Sequence, residues 1–190
     1  LIPALYLSMI FVGVQLFLKN FILIDHWATT SLKCYESDLK KLEEYEKRQK
    51  EDFWYSLSGL EFEREFAKIL RPFFKDVVVT KSTGDGGIDI IVQDYSGEIS
   101  IIQCKAHKKS VGPEPVRALA GVIGQFNATN SIFVSLGGFT SGALKVARIN
   151  TIYTLDIGDV IALAKNVEGG RLNFAGKDVY ITRQDLLKGY

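Results

Sequence analysis

The sequence is poor in the residues on which several kinds of active site depend. Its two cysteines, Cys34 and Cys104, are too few and too far apart for a disulfide framework, which favours a reducing compartment. Its two histidines, His26 and His107, are too few for a histidine-rich zinc cluster, and a Ser-His-Asp triad is not expected. The formal net charge is only +1, so any contact with DNA must be local rather than spread over a basic surface.

Charge is also missing from the start of the chain, where no charged residue precedes Lys19. Eighteen helical residues span roughly 27 Å and the run to Ile24 spans roughly 36 Å, which matches the hydrocarbon thickness of a bilayer. This run is apolar on all sides and lacks the basic start and small-residue cleavage site of a signal peptide. We therefore predict a transmembrane helix over residues 1–25, with a buried core helix as the alternative. Because the chain begins with Leu1 rather than Met, we expect a fragment or a processed product.

The remainder of the chain divides by composition into three segments. Residues 26–57 are dense in charge and in strong helix formers, and they predict a solvated helical stalk. Residues 58–167 alternate helical and strand patterns in the order α-β-β-β-α-β-α-β-α, which predicts an α/β domain with a mixed sheet covered by helices on both faces. Apolar residues make up 47% of the chain, enough for a sizeable core. Residues 168–190 form a C-terminal extension with one short strand candidate, "DVYIT".

Polar residues interrupt the predicted hairpin "GDGGIDIIVQDYSGEISIIQCK" where a core strand should be apolar. Strand alternation places Gln103 and Lys105 on one face of their strand, about 7 Å apart, and Cys104 on the other. Asp89 lies on the partner strand near the same end. A two-residue turn would put Asp89 on the opposite face, so we predict an odd-length turn or a bulge that pairs it with Gln103 or Lys105. The turn glycines are expected to serve positive-φ backbone and close approach, since no lysine-serine pair follows them as in a P-loop.

The helix "GLEFEREFAKIL" adds a fourth polar group. On a helical wheel Glu63 lies on the same side as Leu60, Phe66 and Leu70, whereas Glu61 and Glu65 lie on the opposite, solvated side. Glu63, Asp89, Gln103 and Lys105 are therefore expected to converge on an apolar interior. One interpretation is a buried carboxylate–lysine ion pair, with the glutamine bonded to the backbone. The other is a metal site, because carboxylate and amide oxygens suit Mg²⁺.

Four segments carry a family resemblance: "GLEFE", "GDGGIDI", "IIQCK" and "SVGPEPVRALAG". With the later "FVSLGGFTSGALKVA", they resemble the Mrr family of type IV restriction endonucleases, within the PD-(D/E)xK nuclease superfamily, over about residues 59–165. The resemblance implies a restriction-endonuclease-like fold and a Mg²⁺-dependent endodeoxyribonuclease. It makes Asp89 the motif aspartate, Lys105 the motif lysine and Glu63 the acid of the first helix. Gln103 replaces the usual second acid, as is typical of the Mrr branch.

These observations predict a membrane-tethered, Mg²⁺-dependent DNA endonuclease whose domain faces the cytoplasm. Glu63, Asp89 and Gln103 are expected to hold the ion, and Lys105 to assist the attacking water. Lys81, Lys108 and Lys109 flank the site and are candidates for DNA phosphate contacts. Asp85 is expected to be a turn residue and His107 to have no catalytic role. The expected partners are double-stranded DNA, the membrane and a second copy of the chain. A structure-selective, Holliday-junction-like nuclease and a non-catalytic membrane-bound interaction module are the alternatives.

Overall fold

The computed structural model describes residues 2–80, 87–165, 171–174 and 177–180, and it divides the chain into two compact units, Leu1–Glu44 and Tyr45–Tyr190. The helices are α1 (Ile2–Arg48), α2 (Glu51–Tyr55), α3 (Gly59–Leu70), α4 (Pro113–Val122), α5 (Ser141–Ile149) and α6 (Ile157–Lys165). The strands are β1 (Asp76–Val79), β2 (Ile90–Gln93), β3 (Ile99–Lys105), β4 (Asn130–Ser135), β5 (Ile152–Leu155), β6 (Arg171–Phe174) and β7 (Lys177–Tyr180). From α3 to α6 the order is the one that the sequence predicts.

A five-stranded mixed sheet in the order β1-β2-β3-β4-β5 forms the centre of the second unit. The first three strands pair antiparallel, as hairpins allow, and β3, β4 and β5 pair parallel through the crossovers of α4 and α5. β3 is therefore the strand at which the sheet changes from antiparallel to parallel. It is also the strand that carries Gln103 and Lys105.

Each face of the sheet is covered by helices over its own apolar cluster. One cluster joins α2, α3 and α6 to β2, β3 and β4 around Trp54, Phe62 and Phe66, all fully buried. The other joins α4 and α5 to Ile101 and Phe133 on the opposite face. The predicted mixed α/β sheet with helices on both faces is thus confirmed.

Local sequence signals explain where the helices begin. The Ser58 hydroxyl accepts from the Glu61 backbone N–H while the Glu61 carboxylate accepts from the Ser58 backbone N–H at 2.8 Å, which forms a capping box at the start of α3. Thr140 caps α5 by accepting from the Ala143 N–H at 3.2 Å. The sequence predicts that α4 starts at Pro115, but the structure starts it at Pro113, whose missing N–H suits the first turn.

Several residues near the end of the predicted stalk, residues 26–57, are buried rather than solvated. Residues 27–40 are mainly exposed, but Arg48, Phe53 and Trp54 are buried in the second unit. The Trp54 indole N–H donates to the Arg48 carbonyl at 2.7 Å. The end of the charged segment therefore contributes to the core of the domain.

Two further outcomes concern the ends of the chain. Across the described part of the chain, no helix combines the length and the hydropathy needed to cross a bilayer, so the transmembrane helix predicted over residues 1–25 stays unconfirmed. In the C-terminal extension β6 and β7 pair antiparallel as a separate two-stranded sheet. The sequence predicted a strand only near β7 and missed β6.

Candidate active site

The hairpin between β2 and β3 brings Asp89 to the side of Gln103. Residues 95–97 form an odd, three-residue turn closed by a hydrogen bond from the Asp94 N–H to the Glu98 carbonyl at 3.0 Å, with Gly97 at φ +91°. Ile90 pairs with Ile102 at the end of the ladder, and the N–H of the preceding Asp89 bonds to the carbonyl of Ile102, next to Gln103. The predicted odd-length turn is confirmed, whereas the pairing of Asp89 with Gln103 or Lys105 stays a prediction.

The backbone around Asp89 is fixed from both neighbouring strands. Its N–H donates to the Ile102 carbonyl at 2.9 Å, and its carbonyl accepts from the Thr80 N–H at 2.9 Å. Its carboxylate oxygen Oδ2 accepts from the Cys104 backbone N–H at 2.6 Å. Burial raises the pKa of Asp89, although the Cys104 N–H and the charge of Lys105 act to lower it. Asp89 is thus a carboxylate in a confined place, with one of its oxygens held by β3.

Gln103 is 6% exposed, and its side-chain oxygen Oε1 has no hydrogen-bond partner in the part of the chain that the structure describes. The other end of the amide lies against Gly87, where an added Cβ atom would come within 2.9 Å of Nε2. Gly87 has φ +84°, so this glycine serves both of the purposes predicted for the turn. A buried acceptor without a hydrogen-bond partner lowers the stability of the fold. Such an atom is therefore unusual in a glutamine that has only a structural role.

Lys105 ends β3 on the same face as Gln103. Its carbonyl accepts from the Leu136 N–H at 3.0 Å, and its side chain is half-buried. Within the described residues its ammonium group makes no ion pair at 4.0 Å or less, yet its charge acts on both Glu63 and Asp89. The alternative interpretation of a direct carboxylate–lysine ion pair therefore finds no support in these contacts.

Glu63 approaches this group from α3 and is half-buried. Burial raises its pKa, the negative charge of Asp89 raises it further, and Lys105 and Arg64 act in the opposite direction. Glu63 is therefore close enough to Asp89 and Lys105 for their charges to matter. Helix α3 and strands β2 and β3 thus bring Glu63, Asp89 and Lys105 within reach of one another's charges, and the convergence of Gln103 with them stays a prediction.

Two predictions about α3 are wrong. Leu60 was expected on the buried side and is 47% exposed. Glu65 was expected on the solvated side and is half-buried, where it accepts hydrogen bonds from the Arg48 Nη2 at 3.0 Å and from the Lys68 Nζ at 2.5 Å. The wheel fixes relative angles, but the centre of the buried arc depends on the partner surface, and it lies near Phe62 and Phe66 rather than Leu60.

The basic residues predicted near the site have different surroundings. Lys81 and Asp85 lie outside the described residues, and Lys109 is exposed. The Lys108 ammonium lies 4.7 Å from the centroid of the Tyr55 ring, a cation–π contact. His107 is exposed and its Nδ1 lies 2.8 Å from the Lys109 carbonyl oxygen, in keeping with a turn role.

The side chain and the backbone of Cys104 have different roles, and the sequence predicts only that of the side chain. The thiol is buried in the cluster under α3, as predicted, and burial together with the charges of Asp89 and Glu63 raises its pKa well above the usual value. Its backbone N–H, however, is the donor that holds Asp89. The thiol is therefore inert core, and the peptide group is part of the site.

The donor set fits a hard divalent cation. The groups available are the carboxylates of Glu63 and Asp89 and the amide oxygen of Gln103, which are oxygen ligands of the kind that Mg²⁺ prefers. The buried Gln103 Oε1, which has no partner among described residues, is the atom that such an ion would satisfy. Among those residues no three His, Cys, Asp or Glu side chains are grouped as a metal site, since an amide stands where a third acid could be.

The fold and the polar groups at the end of β3 define a class: a nuclease domain of the restriction-endonuclease type. Residues 54–164 match the family Mrr_cat, described as Restriction endonuclease, which is more than half of the chain. The chain belongs to this family, and the resemblance predicted from the sequence is confirmed. Domains of this type commonly use divalent metal ions.

Other relatives share smaller parts of the chain. An uncharacterized mitochondrial protein of Schizosaccharomyces pombe is 35% identical over 74 residues, covering 35% of this chain and 30% of that protein. A repair endonuclease from Pyrococcus abyssi is 18% identical with a TM-score of 0.30, covering 36% of this chain and 31% of the other. An EndoMS complex with double-stranded DNA is 20% identical with a TM-score of 0.37, covering 47% and 38%. The chain thus spans well under half the length of each of these proteins.

Proposed function

We propose that this domain is a Mg²⁺-dependent endodeoxyribonuclease that hydrolyses phosphodiester bonds in double-stranded DNA. The observation that carries the proposal is the buried Gln103 Oε1, which lacks a partner among described residues and lies on β3 directly before Cys104, the residue that holds Asp89 through its N–H. A structural role leaves this atom unexplained, whereas an ion ligand supplies its partner. Membership of the restriction endonuclease family supports the same proposal.

In this proposal Asp89, Gln103 and Glu63 hold the ion through their side-chain oxygens. When bound, the ion supplies positive charge that stabilises the negative charge developing on the phosphate. The hydrogen bond from the Cys104 N–H to Asp89 Oδ2 would fix the orientation of this carboxylate towards the ion. Both acids must be deprotonated to bind the ion. Because the pKa values of Glu63 and Asp89 are raised, ion binding needs a higher pH than it would with carboxyl groups of ordinary pKa.

Lys105 is proposed to hold the attacking water and to place positive charge beside the scissile phosphate. The water oxygen loses a proton to solvent and forms a bond to phosphorus, while the bond from phosphorus to the leaving oxygen breaks and that oxygen takes up a proton from solvent. A lysine engaged in a tight ion pair would be poorly suited to this task, and Lys105 makes none among the described residues. Lys109, together with Lys81 and Lys108, is proposed to contact DNA phosphates outside the reacting centre.

Plasmid cleavage tests the proposal directly. Wild type, Asp89→Ala and the control Asp76→Ala, which removes an exposed acid at the start of β1, are incubated with supercoiled DNA in MgCl₂ or in EDTA. We expect nicking by wild type and Asp76→Ala with MgCl₂ only, and none by Asp89→Ala. DNA binding without nicking under any of these conditions would instead favour the non-catalytic module. Preferential cutting of a four-way junction would favour the structure-selective nuclease.

We also propose that the N-terminal residues attach the domain to a membrane with the nuclease domain in the cytoplasm, and that two copies associate as a homodimer. The support for membrane attachment is the absence of charge before Lys19. Resistance of the full chain to high-salt extraction from membranes is expected, with release after removal of residues 1–27. Extraction of the intact chain by salt alone would refute the attachment, and sedimentation of the released domain tests the dimer.

A further inference from the structure

Gln103 Oε1 shares an unusual property with one other described side-chain atom, the hydroxyl oxygen of Ser135. Ser135 has 0% exposure, and its Oγ has no hydrogen-bond partner in the part of the chain that the structure describes. Buried hydroxyl groups nearly always have a partner, and one without a partner costs stability. Ser135 interrupts the apolar strand "SIFVSL", which is the sequence signal that could have drawn attention to it.

The two atoms belong to neighbouring strands on one face of the sheet. In the parallel ladder of β3 and β4, Lys105 pairs with Ser135 and Gln103 pairs with Phe133. Side chains of paired residues point to the same face, so Ser135 shares the face of Gln103 and Lys105. Ladder spacing puts the Cα atoms of Gln103 and Ser135 about 8 Å apart, a distance that one water between the two side-chain oxygens can bridge.

We propose that Ser135 is a positioning residue of the active site, whose hydroxyl group and Gln103 Oε1 together hold one water molecule. A buried water makes roughly three hydrogen bonds to groups that are otherwise unsatisfied, and these two atoms provide two of them. A single water thus gives both atoms a partner, and because an amide oxygen has two lone pairs, Gln103 Oε1 keeps one of them for the ion. The Lys105 ammonium, on the same face, is the donor available for a third bond.

The consequence for the site is a fixed orientation of the Gln103 amide. Gly87 restrains the Nε2 end by close approach, and the water anchored by Ser135 restrains the Oε1 end. An amide held at both ends keeps its oxygen directed at the position of the ion, and groups that orient a metal ligand in this way commonly change metal affinity about 10–100-fold when removed. This effect on the ion rests on the proposed function, but the water itself does not.

The chain offers a matched control in Ser131. Ser131 lies on the same strand and the same face, is 2% exposed, and stands four residues, about 13 Å, from Ser135. Ser135→Ala removes the hydroxyl group, Ser135→Cys keeps the volume with a weaker hydrogen-bonding group, and Ser131→Ala repeats the first change away from the site. The Cys variant carries the test if the Ala variant does not fold.

The first experiment needs neither metal nor DNA. A crystal structure of the metal-free full chain is expected to show a water within hydrogen-bond distance of both Gln103 Oε1 and Ser135 Oγ, and the Ser135→Ala crystal is expected to lack it. A wild-type map without that water would overturn the inference. A water retained by the Ala variant in the same place would overturn it equally.

The second experiment measures MgCl₂ affinity by calorimetry and plasmid nicking on the same preparations. Ser135→Ala and Ser135→Cys are expected to bind Mg²⁺ at least about tenfold more weakly than wild type and to nick more slowly, with Ser131→Ala unchanged. Wild-type affinity in both Ser135 variants would refute the positioning role. Failure of wild type to nick DNA refutes the proposed function instead, and the crystals then decide the water on their own.

Discussion

Helix α3 carries two half-buried glutamates in contrasting surroundings. Glu65 accepts from Arg48 and Lys68, and although burial acts to raise its pKa, these hydrogen bonds and charges lower it overall. Glu63, two residues earlier, has a raised pKa because burial and the charge of Asp89 outweigh Lys105 and Arg64. The fold thus favours the anionic form of Glu65 and disfavours the anionic form of Glu63.

This difference separates a structural charge cluster from a candidate active site. The cluster of Arg48, Glu65 and Lys68 satisfies its own charges and ties the end of α1 to α3. At the ends of β3 and β4, by contrast, an amide oxygen, a hydroxyl and an ammonium group lack close partners among the described residues. Acids with raised pKa values beside polar groups that lack partners are typical of functional sites, where a ligand supplies the missing partner.

The largest expected effect follows from Lys105→Met. If Lys105 serves the attacking water, its loss lowers the nicking rate by at least about 100-fold, a range common for a group that handles protons or charge in the transition state. The melting temperature is expected to stay close to that of wild type, because methionine keeps most of the stem volume and no close ion pair within the described residues is broken. Nicking and thermal unfolding are measured on one preparation.

The opposite result would assign Lys105 to the structural class. A lysine that neutralises a buried acid leaves an unpaired charge when removed, which costs about 3–5 kcal/mol. If Lys105→Met melts far below wild type, Lys105 has a structural role in neutralising a buried acid, as Arg48 does for the half-buried Glu65. A variant that melts normally and still nicks at the wild-type rate would remove Lys105 from the catalytic group.

Arg48→Met is expected to show the reverse pattern, with a smaller effect that falls on stability. Arg48 is 5% exposed, and its Nη2 and Nε both donate to Glu65 Oε2, at 3.0 and 3.2 Å. Losing hydrogen bonds to a half-buried carboxylate is expected to cost about 2–3 kcal/mol, because bonds to charged groups exceed neutral ones. In a domain of this size the melting temperature falls by about 5–10 °C. Nicking below the melting transition stays at the wild-type rate, and a lost rate without lost stability would contradict the division between the two clusters.

Gly87→Ala tests the contact that holds the Gln103 amide. The new Cβ atom would stand 2.9 Å from Nε2, in a backbone conformation of φ +84° that costs a non-glycine residue about 1–2 kcal/mol. We expect a lower melting temperature and slower nicking, since the amide must move. Gly97→Ala is the matched control, because Gly97 has φ +91° but no atom within 4 Å of an added Cβ. It should lose similar stability and keep its nicking rate, and equal rates in both variants would show that the amide contact is irrelevant to cleavage.

The sequence predicts features that depend on neighbours along the chain. The limits of α3, the order of elements and the odd-length turn between β2 and β3 all follow from periodicity and alternation, and the structure bears them out. Features that depend on distant contacts were missed. Arg48 and Glu65 are 17 residues apart and were assigned to a stalk and to a solvated helix face. The unsatisfied hydroxyl of Ser135 becomes visible only when the register of β3 and β4 is known.

The smallest expected effect is a difference in the pH dependence of stability between Asp89→Asn and Glu65→Gln in EDTA. The pKa of Asp89 is raised, so the folded protein binds more protons than the unfolded chain between the ordinary carboxylate pKa and the raised value. Stability therefore falls as pH rises through that window, and Asp89→Asn, which keeps an acceptor for the Cys104 N–H, should melt above wild type at neutral pH.

The pKa of Glu65 is lowered, so its contribution to stability is present above the unfolded pKa and lost as pH falls through the folded pKa. Glu65→Gln should accordingly melt below wild type at neutral pH. Both differences should shrink as pH falls, from opposite sides, in melting curves recorded between pH 4 and 8. If the melting temperatures of both variants shift in the same direction, Asp89 and Glu65 do not have opposite effects on the pH dependence of stability.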